Sequence, residues 1–178
     1  MIVRMFVLGI DPGLTRCGYG IIEWLGPSKL RAVSAGVIRT EHTAALPKRL
    51  ATLHCEVVDL ITEFAPQVVA IERVLFQVNV STAMAVGHAS GVVMAAGAVA
   101  GCDVHEYSPN EIKLAVTGYG NADKQQVERM VRAQLKLEKE LKPVDAADAI
   151  AVALCHAAIE GVPPKLANDQ AVEGKVRA

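Results

Sequence analysis

The hydrophobic periodicity of this chain changes once, at Leu46, and that change decides the fold class. Before it, Val3 to Ile10, Gly18 to Trp24 and Leu30 to Arg39 are short β-type runs, the first stopped by the turn signal Asp11-Pro12-Gly13. Connections this short predict an antiparallel meander. From there, Leu46, Leu50, Leu53, Val57, Leu60 and Phe64 recur at alternating spacings of four and three, the apolar face of a helix that Pro66 closes. Strand patterns at Val68 to Ile71 and Val104 to Tyr107 then alternate with helical ones. The helices are expected from Ser81 to Ala100, from the capping box Ser108-Pro109-Asn110-Glu111 up to Gly118-Tyr119-Gly120, from Ala122 to Lys136, and from Val144 to Ile159. The order predicts an α/β fold: a mixed β-sheet, antiparallel meander plus parallel strands, flanked by α-helices.

A chain of 178 residues suits one domain. We expect it to span residues 1–160, with a mobile polar tail over 161–178 after Val162-Pro163-Pro164. Cys17, Cys55, Cys102 and Cys155 lie far apart with no C-x-x-C pair, which disfavours zinc and a disulfide framework and fits a reducing cytoplasm. Ala83 to Gly101 is the only membrane candidate; it holds His88 and Ser90 among Ala and Gly, and reads as a buried helix, so no membrane partner is expected. The net charge of -1 lacks the basic excess of an obvious nucleic-acid binder.

Four acids stand where structure gives little ordinary reason for a charge. Asp11 and Glu72 end apolar strands, and in α/β sheets ligands bind outside the carboxyl ends of strands. A turn-forming Asp and a solvated rim Glu are the bland alternatives. Asp145 and Asp148 stand three apart, on one face of an otherwise apolar helix. Helix-dipole compensation explains one of them; two like charges on one face require something positive between them. An all-oxygen set of this kind suits hard Mg²⁺ or Mn²⁺. Two such ions would activate a water and stabilise the leaving oxygen in phosphodiester hydrolysis. His42, His54, His88, His105 and His156 share no metal spacing and read as surface or satisfied core.

Leu8-Gly9-Ile10-Asp11-Pro12-Gly13 with Gly18-Tyr19-Gly20, then Ala70-Ile71-Glu72, then Asp145-Ala146-Ala147-Asp148-Ala149, resemble in order and spacing the RuvC family of bacterial Holliday junction resolvases, in the ribonuclease H-like superfamily. The resemblance runs from about Phe6 to His156. It implies a ribonuclease H-like sheet and a homodimeric endonuclease that nicks opposing strands of a four-way DNA junction symmetrically. Two Mg²⁺ per subunit, replaceable by Mn²⁺, and RuvA and RuvB as branch-migration partners are implied with it. Asp11, Glu72, Asp145 and Asp148 fall on the family's metal-binding acids, and Lys113 and Lys124 on its basic positions near the scissile phosphate. In that family an aromatic three positions after the strand Glu wedges into the junction. Here that position is Leu75 and Phe76 follows, so the wedge is one of these two, or Val74-Leu75-Phe76 is core or dimer interface. The spaced glycines Gly87, Gly91, Gly97 and Gly101 fit either a subunit interface or packing within the chain.

Once the four acids are counted as metal ligands the remaining charge is positive, and salt-sensitive DNA binding is expected through Lys113 and Lys124, with Arg73, Arg129 and Arg132 as further phosphate contacts. Three other readings remain at this point. Asp11-Pro12-Gly13-Leu14-Thr15 also fits the D-x-G-x-T phosphate loop of sugar kinases and actin-like ATPases, although those pair two domains around a nucleotide. A non-catalytic junction-binding protein and a related nuclease acting on RNA are the others.

Overall fold

The computed structural model describes residues 5–25, 29–73 and 80–160. A five-stranded sheet is built from β1 (Met5–Asp11), β2 (Arg16–Trp24), β3 (Leu30–Arg39), β4 (Val68–Glu72) and β5 (Asp103–Tyr107), in the order β3-β2-β1-β4-β5. The first three strands pair antiparallel, whereas β4 runs parallel to both β1 and β5, as the mixed pattern requires. Five helices surround it: α1 (Leu46–Phe64), α2 (Val80–Val99), α3 (Pro109–Thr117), α4 (Lys124–Leu135) and α5 (Val144–Ile159). Each expected element is present. β2 starts two residues before the expected Gly18, a shift that matters for the site.

Side chains alternate across the sheet and divide the core in two. Met5 and Val7 join Val68, Ala70 and the α3, α4 and α5 side chains on one face; Leu8 and Ile10 join Val69, Ile71 and the α1 and α2 side chains on the other. Continuing the period of two puts Asp11 and Glu72 on the α5 face. Because β1 and β4 are parallel, with Ile10 beside Ile71, these two acids end neighbouring strands side by side. The same alternation in β2 turns Arg16, Gly18 and Gly20 toward α5.

Helix α5 presses on this face more closely than side chains permit. A Cβ on Gly9 would sit 2.1 Å from the Ala149 carbonyl oxygen, and one on Gly18 would sit 2.1 Å from that of Asp145. The helix meets them with Ala146, Ala147, Ala149, Ala151 and Ala153, all buried. Small residues on both surfaces let backbone lie on backbone, and the start of α5 is thereby fixed over the ends of β1 and β2.

On the opposite face, α1 buries Leu53, Val57 and Ile61 and ends at Ala65 in the left-handed conformation, ahead of Pro66. Helix α2 corrects the expectation of a buried helix. It seats Ala89, Val93, Ala96 and Gly97 inward, with a Cβ on Gly97 reaching within 3.0 Å of Val69, but leaves Val80, Met84 and Val99 exposed and open space around Gly87 and Gly91. Its apolar residues are spread around the whole circumference, so periodicity gave no sign of which side faces out. Of the spaced glycines, Gly97 therefore serves packing within the chain.

Two capping boxes set the helices near the site. The Ser108 hydroxyl accepts from the Glu111 amide while the Glu111 carboxylate accepts from the Ser108 amide, with Pro109 in the first turn, as expected. Asp123 and Gln126 make the same reciprocal pair and start α4 at Lys124. Between α5 and β5, His156 is 1% exposed, its Nδ1 lying 2.8 Å from the Tyr107 hydroxyl and its ring against His105. His156 is thus a core histidine, and all four cysteines are free thiols.

Two predictions follow from this packing. Gly18→Ala, which forces apart the β2 and α5 backbones, should lower unfolding stability in urea by about 1–3 kcal/mol, and Gly91→Ala, facing open space on α2, should not. Burial, then the neighbouring His105, pushes the His156 imidazole down to about 4. The unfolded chain therefore takes up a proton near pH 6.5 that the folded chain refuses until about pH 4. Stability from this group is full above pH 6.5 and falls by up to about 3 kcal/mol as pH drops through that window. His156→Gln should flatten that part of a stability-against-pH curve measured by thermal denaturation.

Candidate active site

The two strand-end acids, α3, α4 and the first turns of α5 enclose a cleft of about 240 Å³, lined among others by Asp11, Glu72, Lys113, Lys124 and Asp148. Asp145 lies one turn from Asp148 on α5, against β2. Burial, followed by repulsion from Glu72, Asp148 and Asp145, raises the Asp11 carboxyl to about 7. Burial and then Asp148 also raise Glu72, with Lys124 and Lys113 opposing the shift. All four acids thus feel one another through Asp11, in a pocket whose cations come from α3 and α4.

The sequence called for something positive between the aspartates of α5; the structure gives each its own cation. Arg16 donates to Asp145 Oδ2 from Nε at 3.0 Å and again from Nη2. Lys124 Nζ stands 3.2 Å from Asp148 Oδ2, which is the first cause of its raised pKa. Lys124 is also the first residue of α4, where the helix dipole disfavours a cation, so its position follows from the acids rather than from the helix. With both aspartates turned to these cations, no three carboxylate, imidazole or thiolate groups converge as a ready-made ion cage among the described residues. The donor set nonetheless fits a hard divalent ion: it is all carboxylate oxygen, and burial, followed by the neighbouring negative charge, keeps Asp11 protonated up to about pH 7.

Comparison with known proteins decides the family. A family profile described as "Crossover junction endodeoxyribonuclease RuvC" matches residues 7–156. The chain belongs to the RuvC family. It is 48% identical to the crossover junction endodeoxyribonuclease RuvC of Alkaliphilus oremlandii over 153 residues, 86% of this chain and 93% of that one. It is 47% identical to that of Salinispora arenicola over 163 residues, 92% of this chain and 93% of the relative. The solved structure of Thermus thermophilus RuvC in complex with a Holliday junction substrate superposes with a TM-score of 0.82 at 37% identity, covering 86% of this chain and 93% of that one. The mixed sheet flanked by helices is therefore the ribonuclease H-like fold of the RuvC family, a family of metal-dependent nucleases.

Within this RuvC-family fold the structure brings Asp11, Glu72, Asp148, Lys113 and Lys124 to one cleft and Asp145 to its margin. Arg73 is not brought in: its amide donates to the Tyr107 carbonyl at 2.8 Å, and its guanidinium lies beside the Glu106 carbonyl at the rim. Leu75 and Phe76 lie outside the described residues. Arg132 donates to the Glu138 carbonyl and pairs with Glu128, away from the cleft lining, and Arg129 lines a separate surface hollow. The kinase-like reading of the first loop fails with the family, and the Thr15 hydroxyl it needed accepts from Arg49 at 2.7 Å. Arg16 was missed. Its partner lies 129 residues away, and only the unexplained repulsion between Asp145 and Asp148 pointed to it.

Raised Asp11 gives a pH signature opposite in sign to that of His156. The folded, metal-free chain holds a proton on Asp11 up to about pH 7, whereas the unfolded chain loses it in the usual carboxylate range, so stability falls as pH rises between those values. Asp11→Asn should remove this fall, and thermal denaturation in EDTA should find the variant more stable than wild type at pH 8 and not at pH 4.

Proposed function

We propose that this chain is a crossover junction endodeoxyribonuclease that resolves four-way (Holliday) DNA junctions by paired symmetric nicks, through phosphodiester hydrolysis, in homologous recombination and DNA repair. The observation that carries the reading is the gathering of Asp11, Glu72, Asp148, Lys113 and Lys124 in one cleft at the carboxyl ends of β1 and β4, with Asp145 one turn away, in a chain of the RuvC family. A relative solved with a Holliday junction supports the substrate.

Asp11, Glu72, Asp145 and Asp148 would hold two Mg²⁺ ions, with Mn²⁺ able to substitute. Bound there, such ions would activate a water for attack and offset charge on the leaving oxygen. The remaining chemistry belongs to the chain. Asp11, whose carboxyl feels the other three acids, would serve both ions. Lys113 and Lys124 line the cleft and would hold or stabilise the phosphate as point charges. Burial and the neighbouring acids keep Asp11 protonated up to about pH 7, so binding of a divalent ion there would release its proton near neutral pH.

A two-fold substrate cut at two opposed points suits a C2 homodimer. The outer face of α2, with Met84 exposed and open space over Gly87 and Gly91, is the surface we assign to it. RuvA and RuvB are the proposed branch-migration partners, residues 1–160 the proposed nuclease domain and the cytoplasm the proposed location, in keeping with four free thiols. Leu75 or Phe76 remains the proposed wedge, and Arg73 a rim contact to DNA.

Side-by-side incubation with a synthetic four-way junction, linear duplex and structured RNA tests the reading. Wild type with Mg²⁺ should nick the junction in preference to both alternatives. Glu72→Gln and Asp148→Asn should each lower the nicking rate by more than the roughly 100-fold that loss of an outer-shell metal partner costs, while still binding the junction. Equal cleavage of all three substrates, or nicking retained in both variants, would exclude the proposal.

A further inference from the structure

The ion pair between Arg16 and Asp145 is required neither by the sheet nor by the chemistry proposed above. Arg16 opens β2 on the face that meets α5, and its Nε and Nη2 both donate to the same oxygen, Asp145 Oδ2. A carboxylate oxygen offers two lone pairs, so Oδ2 has none left and only Oδ1 faces an ion while Arg16 is in place. A guanidinium cannot shed its charge, so a cation that takes Oδ2, or both oxygens, must displace it. It has somewhere to go, because the Arg16 side chain is 41% exposed against 28% for Asp145. Beside it, Arg39 is the cross-strand partner of Arg16, and Arg49 reaches over from α1 to Thr15. The end of the sheet next to the cleft is thus a basic edge.

We propose that Arg16 is the built-in counter-ion of the metal-free site: it occupies Asp145 until a divalent cation displaces it, and once released it binds a backbone phosphate of the DNA. The inference rests on Asp145 being a metal ligand. Two consequences follow from the exchange. The metal-free fold tolerates four clustered acids in part because Arg16 pairs Asp145, as Lys124 pairs Asp148, at the cost of weaker metal binding. The freed charge also faces DNA only in the metal-loaded protein, so metal and junction reinforce each other's binding, and by linkage they do so reciprocally.

The test measures binding and needs no cleavage. Calorimetric titration with Mn²⁺ in the absence of DNA should find Arg16→Gln binding about three-fold tighter than wild type, the gain expected when an exposed ion pair no longer has to be broken. Arg16→Lys, which keeps the charge and loses the two-pronged contact, should fall between them and serves if Arg16→Gln does not fold. Junction affinity, followed by fluorescence anisotropy in Ca²⁺ and in EDTA, should improve with Ca²⁺ in wild type. In Arg16→Gln that improvement should shrink, with a salt slope in Ca²⁺ shallower by about one. Unchanged Mn²⁺ affinity in Arg16→Gln would overturn the proposal, and weaker affinity would show that Arg16 orients Asp145 for the metal instead. Asp145→Asn separates the two levels. If it leaves Mn²⁺ binding unchanged, the ligand assignment itself is wrong; if it weakens binding while both Arg16 variants match wild type, only the counter-ion role is lost.

Discussion

Backbone contact between α5 and the glycines of β1 and β2 is the constraint on which the proposed site depends. With side chains at Gly9 and Gly18 the helix would have to ride higher on the sheet, because the space a Cβ would take is already filled by the carbonyls of Ala149 and Asp145. Lifting α5 would carry Asp145 and Asp148 away from Asp11 and Glu72, whose own positions are set by strand alternation and by the parallel register of β1 and β4. The apolar layer and the polar cleft are therefore one construction. A helix of Ala residues can sit low enough to present its acids only where the strands beneath it lack side chains.

Four carboxylates at such proximity oppose folding in the absence of a cation, and the metal-free chain relieves the strain in three ways. Arg16 takes Asp145, Lys124 takes Asp148, and burial with the surrounding negative charge keeps Asp11 protonated up to about pH 7. Each device is reversible. A divalent ion held by these acids would take the place of the two ion pairs and the proton, and would leave Arg16 and Lys124 as charges facing a polyanionic substrate. This accounts for a DNA-directed enzyme with a net charge of -1: part of its acidity belongs to the metal and not to the surface the DNA meets.

Much of this was legible in the sequence, for identifiable reasons. The period changed from two to 3.6 at Leu46, and turn signals and Pro marked most element ends, so the mixed sheet and its helices could be read directly. The four acids stood out because each interrupts an apolar run. Helix α2 was misread as buried because its residues are apolar on every side, and no polar stripe marks the face it leaves open. Arg16 and the role of Gly9 and Gly18 were hidden for another reason: their partners are 127 to 144 positions away, by the contacts of Arg16 and Gly18 with Asp145 and of Gly9 with Ala149 and Ala153. Tertiary proximity of that range leaves no local pattern. Arg73 shows the converse, a charge beside a proposed ligand in sequence that the end of β4 turns toward the β5 backbone.

The central claim is that Asp11, Glu72, Asp145 and Asp148 surround divalent ions in one cleft. Anomalous diffraction from crystals soaked in Mn²⁺ tests it most directly. The account predicts anomalous peaks at about 2.0–2.3 Å from oxygens of these four residues, the coordination range of such ions, with the Arg16 guanidinium no longer on Asp145. Peaks elsewhere on the surface, or none in the cleft with Arg16 and Lys124 still holding both aspartates, would contradict it.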